Sequence, residues 1–405
     1  MVVGSIPTWP TRSSMLARNA VTLVGYAFAH HQTRAAPVAR EGDINTMRKH
    51  KGLKSAALAL AAFALIASAC GGSDEAATEE VTEDTEAPAE EVTDPCAGSE
   101  LKLGLAFDTG GRGDGTFNDS AARGADQAAT ELCYVVQELE ATTDDDRKPN
   151  LEALSGAGNN PVIVVGFAFG GVIEEIAAAN PNTVYGWVDG YLDLPNVKTL
   201  TFAEHEGSFL VGAAAALKSQ TGIIGFIGGQ EIDLIKKFEA GYIAGAKAVN
   251  PDIEVRSQYL GAAGDNAAWG SPDKAKEIAL SWYNDGADIV YTAAGGSGRG
   301  TIEAAVEAGE GKWAIGVDSD EYFVDTPEQQ KHRLTSMLKR VDNAVFLTAK
   351  SVAEGDISGG FKTFDLSTDG VGYATSGGYL DDIIPQLEEL KAKVISGEIV
   401  VPTKP

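Results

Sequence analysis

The chain has 405 residues, of which 58 are Asp or Glu and 32 are Lys or Arg, giving a net charge of −26 at pH 7. This acidic balance excludes nucleic acid and anionic lipid as main partners, since both would be repelled. The length leaves room for two lobes of about 150 residues each after any leader. Residues Met1 to Thr46 are weakly basic, lack sustained periodicity and precede a second methionine, Met47. They are read as a mis-assigned upstream extension (1–46), with translation expected to start at Met47.

From Met47 the sequence runs MRKHKGLKSAALALAAFALIASACGGS. A basic start, an apolar run from Leu53 to Ala67 and small residues before a cysteine form an export signal. Ala67-Ser68-Ala69-Cys70 resembles a bacterial lipobox, with Ala67 where Leu is usual. Residues 47–69 are therefore read as a lipoprotein signal peptide. Cys70 is read as the lipidated first mature residue, holding the protein on the cell membrane and facing outside the cytoplasm. The other reading is an uncleaved anchor, for which the apolar run is near the lower limit of about 17 residues. Residues 1–69 hold eight Lys or Arg and two Asp or Glu, so the remainder carries −32. Residues 70–100 are read as an acidic flexible tether. Between Ser73 and Pro95 lie ten Asp or Glu and no Lys or Arg, with too little apolar surface to fold.

The folded body opens at Leu101 to Ala129, read as a strand, a glycine-rich polar loop and a helix. Leu101, Leu103, Leu105 and Phe107 alternate with small or apolar residues, as in a strand covered on both faces. Asp108 sits where the strand runs out, and Gly110, Gly111, Gly113 and Gly115 let the backbone turn close to a ligand. Ligands bind beyond the carboxyl ends of parallel strands, so Asp108, Phe117 and Asn118 are offered to something small. Cys96 precedes this strand and Cys133 ends the helix. In a strand–helix unit both fall at one edge of the sheet. A Cys96–Cys133 disulfide is geometrically reasonable there and suits an oxidising compartment; two unpaired thiols are the alternative.

Strands are then expected near 133–138, 161–167, 184–188 and 197–202, with helices near 150–157, 171–179 and 207–219. The pattern restarts with strands near 222–227, 254–259, 288–292 and 313–317, and helices near 232–249, 272–285 and from 301. Two such runs predict an α/β protein of two doubly wound parallel-sheet lobes joined by a hinge. The stretch 333–340 and a helix over 341–354 are expected to return the chain to the first lobe. The first lobe is thus drawn as 101–203 plus 335–355, and the second as 204–334 plus 356–405.

The first loop, with its Asp-Thr-Gly-Gly at Asp108 and DGTFN at Asp114 to Asn118, resembles the basic membrane protein family. Further pieces follow in that family's order: EGSFLVGAAAAL from Glu206, FEAGYIAGA from Phe238, AGGSG from Ala294, IGVD from Ile315, LTSMLKR from Leu334 and EIVVP from Glu398. The resemblance covers nearly all of 101–405. It implies a type I periplasmic-binding-protein fold and a monomeric substrate-binding lipoprotein of an ABC importer. Such a receptor captures a nucleoside, expected to be a purine, and delivers it to a permease. It implies that Phe117 and Trp269 hold the base between two rings, Trp269 standing where Phe is usual. Asp189 then reads the base edge, Asn118 offers the cleft both a donor and an acceptor, and Asp318 and Lys339 hold the ribose. Gly295 reaches the sugar through its backbone, and Asp108 falls in the cleft. Local alternatives exist for each: core packing for Phe117, loop anchoring for Trp269, a cap for Asp189 or Asn118, and a solvated basic patch for Lys339 beside Arg340.

Little points to an enzyme, a metal or a cofactor. Past the leader the only histidines are His205 and His332, far apart in sequence, which disfavours a His-rich metal site or a Ser-His-Asp triad. Gly295-Gly296-Ser297-Gly298-Arg299 lacks the last glycine of a nucleophile elbow and the Gly-Lys-Ser/Thr of a phosphate loop. The acidic run Asp144 to Asp146 is read as a solvated loop. A ligand-sensing lipoprotein, a receptor for another heteroaromatic such as a flavin, and a nucleoside-cleaving enzyme remain as other readings.

Overall fold

Strand β1 (Lys102–Phe107) is buried from Leu103 onward, as a central parallel strand with helices on both faces must be. It belongs to a computed structural model that describes residues 96–405. The upstream extension, the signal peptide, Cys70 and the tether up to Pro95 lie outside the described residues. After β1 the chain alternates through α1 (Phe117–Leu132), β2 (Val135–Glu140), α2 (Arg147–Gly156), β3 (Val162–Val165), α3 (Ile173–Ala179), β4 (Tyr185–Val188) and β5 (Val197–Phe202). It crosses to a second lobe at α4 (Glu204–Lys218). There it repeats the alternation through β6 (Ile223–Gln230), α5 (Asp233–Val249), β7 (Glu254–Gly261), α6 (Pro272–Asn284), β8 (Ile289–Ala293), α7 (Gly298–Ala308), β9 (Trp313–Asp318) and β10 (Arg333–Lys339). The tail adds α8 (Val341–Ala353), β11 (Gly360–Phe364), β12 (Val371–Tyr373) and α9 (Ile384–Ile395). Cys96 and Cys133, just before β1 and just after α1, are joined in a disulfide.

The two sheets have matching strand orders, β2-β1-β3-β4-β5-β11 and β7-β6-β8-β9-β10-β12, and differ only in the last strand, β11 running parallel to β5 and β12 antiparallel to β10. Each lobe is therefore one copy of the same doubly wound unit, and equivalent strands can be matched between copies. The lobe boundaries drawn from sequence move in two places. Residues 335–339 do not return to the first lobe: β10 pairs parallel with β9 in the second sheet, and the chain crosses only after Lys339. Residues 360–364 do not belong to the second lobe: β11 pairs parallel with β5 as an edge of the first sheet. Four of the five β11 residues are exposed, so no buried periodicity marks this strand in the sequence.

Two of the family-like stretches, EGSFLVGAAAAL and FEAGYIAGA, face one another as α4 and α5. A side chain at Gly241 or Gly245 would collide with the α4 backbone at His205 and Phe209. These glycines serve helix-to-helix approach rather than the ligand.

Candidate functional site

The strand ends decide where chemistry can occur. Asp189 directly follows β4 and Asp318 closes β9, strands that hold the same place in their sheets. Both aspartates are left-handed, with φ of 62° and 64°. That conformation is costly for a residue with a side chain and concentrates at functional sites. Both carboxylates line one cavity of 340 Å³ between the lobes, within the roughly 300–1,000 Å³ common for small-molecule sites. Asp108, Phe117, Asn118 and Asp189 line it from the first lobe, and Trp269, Gly295, Asp318 and Lys339 from the second. All eight residues singled out in the sequence thus meet in one place.

Lys339 is the electrostatic centre. Its side chain is 2 % exposed, and its Nζ donates to Asp189 Oδ2 at 2.6 Å. Glu204 Oε1 lies 3.5 Å from the same ammonium, and Lys237 donates to the other Glu204 oxygen. Burial pulls the Lys339 ammonium down, but Asp189, Glu204 and Asp318 outweigh it and hold the value above that of an ordinary lysine. The rings of Phe117, Phe202 and Phe238 surround it, the first two with centroids 5.1 Å from Nζ, close enough for cation–π attraction. Lys339 is therefore ion-paired with the base-edge candidate Asp189, while Asp318 acts on it from further away.

Among the described residues Asp318 lacks a comparable partner. Burial pushes its carboxyl up to about 7; Lys339 pulls it down, while Asp189, Asp114 and Glu321 push it further up. Asp189 is also raised, first by burial, against the pull of Lys339. Its Oδ1 is buried and takes no hydrogen bond within the described residues, so it does not cap a turn. Asn118 is likewise free of capping duty. Asp114 accepts from the backbone N–H groups of Thr116, Asn118 and Asp119, and the Asn118 Nδ2 donates to Asp114 Oδ2. The Asn118 Oδ1 is buried without a donor among the described residues. Two acceptors in the cavity wall thus lack donors, a costly state unless a ligand supplies them. Asp108 Oδ1 accepts from the Arg147 Nε and Nη2 and from Thr109 N.

The aromatic walls come from opposite lobes. Trp269 lies in a short turn after β7, against Gly229, where any side chain would collide with the indole. Phe167 meets it edge-on, with centroids 6.2 Å apart. Phe167, Phe238, Asp114 and Arg299 line the cavity as well but were not singled out as binding residues. Phe167 was legible in principle, since it sits just past the carboxyl end of a buried strand. Arg299 is in the glycine loop already inspected for nucleophiles, and its Nη2 donates to Gly113 O across the cleft at 2.7 Å. Ser319 Oγ crosses likewise to Thr116 O. The lobes are therefore hydrogen-bonded together around the cavity.

Residues 102–405 match the family of PnrA-like ABC transporter substrate-binding proteins. The chain belongs to that family, Bmp. Its Bmp relatives include the ABC transporter nucleoside-binding protein BmpA of Lactococcus lactis, 32% identical over 331 residues, covering 76% of this chain and 90% of that protein. Basic membrane protein A of Borreliella burgdorferi is 33% identical over 314 residues, covering 76% and 89%. A solute-binding protein of an ABC transporter system from Aeropyrum pernix has the same fold, with TM-score 0.65, 29% identity, and coverage of 75% of this chain and 94% of that one. The two lobes thus form a type I periplasmic solute-binding fold. Bmp proteins are substrate-binding components of ABC transporters, which bind a ligand and deliver it to a permease. Among the described residues no helix is long and apolar enough to cross a membrane.

Proposed function

We propose that this chain captures a nucleoside, preferentially a purine nucleoside, in the inter-lobe cavity and hands it to the permease of an ABC importer. The observation that supports this most is the joint lining of one cavity by two aromatic rings from opposite lobes and by carboxylates at equivalent strand ends. In this reading Phe117 and Trp269 sandwich the base. The Asp189 and Asn118 oxygens accept from ring or exocyclic N–H groups, since an ionised carboxylate only accepts. Asp318 accepts from the sugar hydroxyls beside Lys339 and Gly295. Asp108, with one oxygen held by Arg147, contributes the other to the cleft. Cys70 carries the lipid, the acidic tether spaces the lobes from the membrane, and the receptor works as a monomer.

The test is calorimetric titration of purified protein, unfolded and refolded to strip carried-over ligand, with adenosine, guanosine, inosine, cytidine, uridine, adenine and ribose. Nucleosides should bind far more tightly than free base or free sugar, and purines more tightly than pyrimidines. Folded protein that binds none of them would end the nucleoside reading.

Two substitutions divide the site. Trp269→Ala should weaken nucleoside binding by about 2 kcal/mol through lost stacking and apolar burial, and an unchanged affinity would remove Trp269 from the base slot. Asp318→Ala should cost at least about 2 kcal/mol through lost charged hydrogen bonds. The loss should be larger for ribosides than for 2′-deoxyribosides; equal losses would remove Asp318 from the sugar.

A further inference from the structure

In the acidic run Asp144 and Asp145 are exposed, but Asp146 is half-buried, the run forms a short 3-10 turn rather than a solvated loop, and Asp144 has specific partners. Its Oδ1 accepts from Arg147 Nη1 and, across the cleft, from Asn266 Nδ2, both at 2.8 Å. Asn266 opens the turn that carries Trp269. Its amide is already aimed: Gln230 Nε2 donates to Asn266 Oδ1, leaving the NH₂ group to face Asp144. Gln230 is itself fixed, its Oε1 accepting from Gly264 N. On the other side Arg147 is buried and spans two acids, with Nη1 on Asp144 and both Nε and Nη2 on the cleft carboxylate Asp108. An unbroken line of charge-assisted hydrogen bonds therefore runs from a cavity residue of the first lobe to the aromatic turn of the second. Such bonds are directional and stronger than neutral ones.

We propose that Asp144 and Arg147 are positioning residues that latch the Trp269 turn over the bound ligand. The Asp144–Asn266 contact belongs to the closed form, which the empty protein also populates, and Arg147 ties it to Asp108 in the cavity. Opening the cleft breaks the contact, so the latch acts on ligand release rather than on entry. A residue that only stabilised its own lobe would leave release unchanged.

The test compares wild-type protein with Asp144→Ala, Asn266→Asp and the swap Asp144→Asn with Asn266→Asp, with Asp144→Asn alone measured as the swap's other part. The probe for release is inosine, followed by stopped-flow tryptophan fluorescence. Asp144→Ala should release it about fivefold faster, and Asn266→Asp, which sets two carboxylates face to face, at least about tenfold faster. Association should stay within about twofold, because long-range encounter does not involve the latch. The swap restores a carboxylate–amide pair and should recover most of the slow release, a non-additivity expected only of residues in contact. A second readout needs no ligand: the ¹⁹F signal of 5-fluorotryptophan at Trp269, assigned through Trp269→Phe, should move in both single variants and return in the swap. Wild-type release rates and an unmoved signal in the singles, or a swap no better than the sum of its parts, would overturn the latch. Only the release arm rests on the nucleoside reading. Wild-type protein that binds no inosine but shows the ¹⁹F pattern keeps the latch and removes inosine as cargo; without that pattern, both fail.

Discussion

Lys339→Met should lower the unfolding free energy by about 3–5 kcal/mol, the usual cost of removing one partner from a buried ion pair. The shape change is small, and the rings of Phe117, Phe202 and Phe238 would accept a thioether. What cannot be accommodated is the charge left behind. Asp189 loses the only cation bonded to its Oδ2, and its Oδ1 already has no donor among the described residues. Glu204 is less affected, because Lys237 still donates to it. The penalty should therefore be specific to Asp189, and Asp189→Asn in the Lys339→Met background should recover a large part of it. Urea midpoints of the four proteins at pH 8 measure this as a double-mutant cycle. At pH 5 the penalty should shrink, since burial and Glu204 hold the Asp189 carboxyl above its ordinary range and, without Lys339, it protonates readily. A Lys339→Met protein as stable as wild type at both pH values would show that the pair is not a net stabilising contact. The position of the pair explains its weight in function. Lys339 ends β10 just before the chain crosses to the first lobe, and Glu204 begins α4 just after the chain crosses from it. Lys339 thus lines the cavity and, with Glu204, stands at the hinge.

The fold was legible because two runs of buried strands alternate with helices, and several strand ends, those of β1, β3, β4 and β9 among them, are marked by a glycine or an acid. Asp108, Asp189 and Asp318 stand out in sequence because a polar residue directly after an apolar run is where a parallel strand meets its loop. What sequence could not show was pairing across the duplication. Nothing local distinguishes Lys339 bonded to Asp189 from Lys339 bonded to Asp318, since the choice depends on how the lobes meet. Strand β11 was missed because an edge strand with exposed Phe361, Lys362 and Thr363 carries no hydrophobic alternation. Arg299 and Asp144 escaped for a related reason. Each acts through one contact across the cleft, and an exposed arginine in a glycine loop or an acid in an acidic run has no signature of its own. The conspicuous glycine-rich stretches of α4 and α5, by contrast, reflect helix packing.

Nucleoside affinity should fall by up to about tenfold per pH unit below pH 7, reaching about 100-fold by pH 5. The argument starts from Asp318, whose carboxyl is pushed up to about 7 by burial and by the nearby Asp189, Asp114 and Glu321. In the empty protein the charged form is the disfavoured one. The folded value lies above the ordinary 3.8, so the native state holds this proton where the unfolded chain has released it. By linkage, this group makes the empty protein lose stability as pH rises from about 4 to 7. A sugar whose hydroxyls donate to Asp318 favours the ionised form and draws its value down on binding. Binding near pH 6.5 should then release a fraction of a proton, seen as an observed enthalpy that varies with the ionisation enthalpy of the buffer. Below pH 7 the ligand must first displace that proton, which is the source of the tenfold steps. Asp318→Asn should bind more weakly at pH 8 but remove most of the slope between pH 5 and 7, and 2′-deoxyribosides should show a shallower slope than ribosides. Affinity that rises toward low pH would mean that Asp318 meets the ligand as a neutral donor. A flat profile would place the sugar away from it. In the proposed reading the same linkage has a consequence for release: a carboxyl poised near 7 would weaken the grip on a riboside wherever the surroundings are acidic, without any change in the proposed aromatic slot.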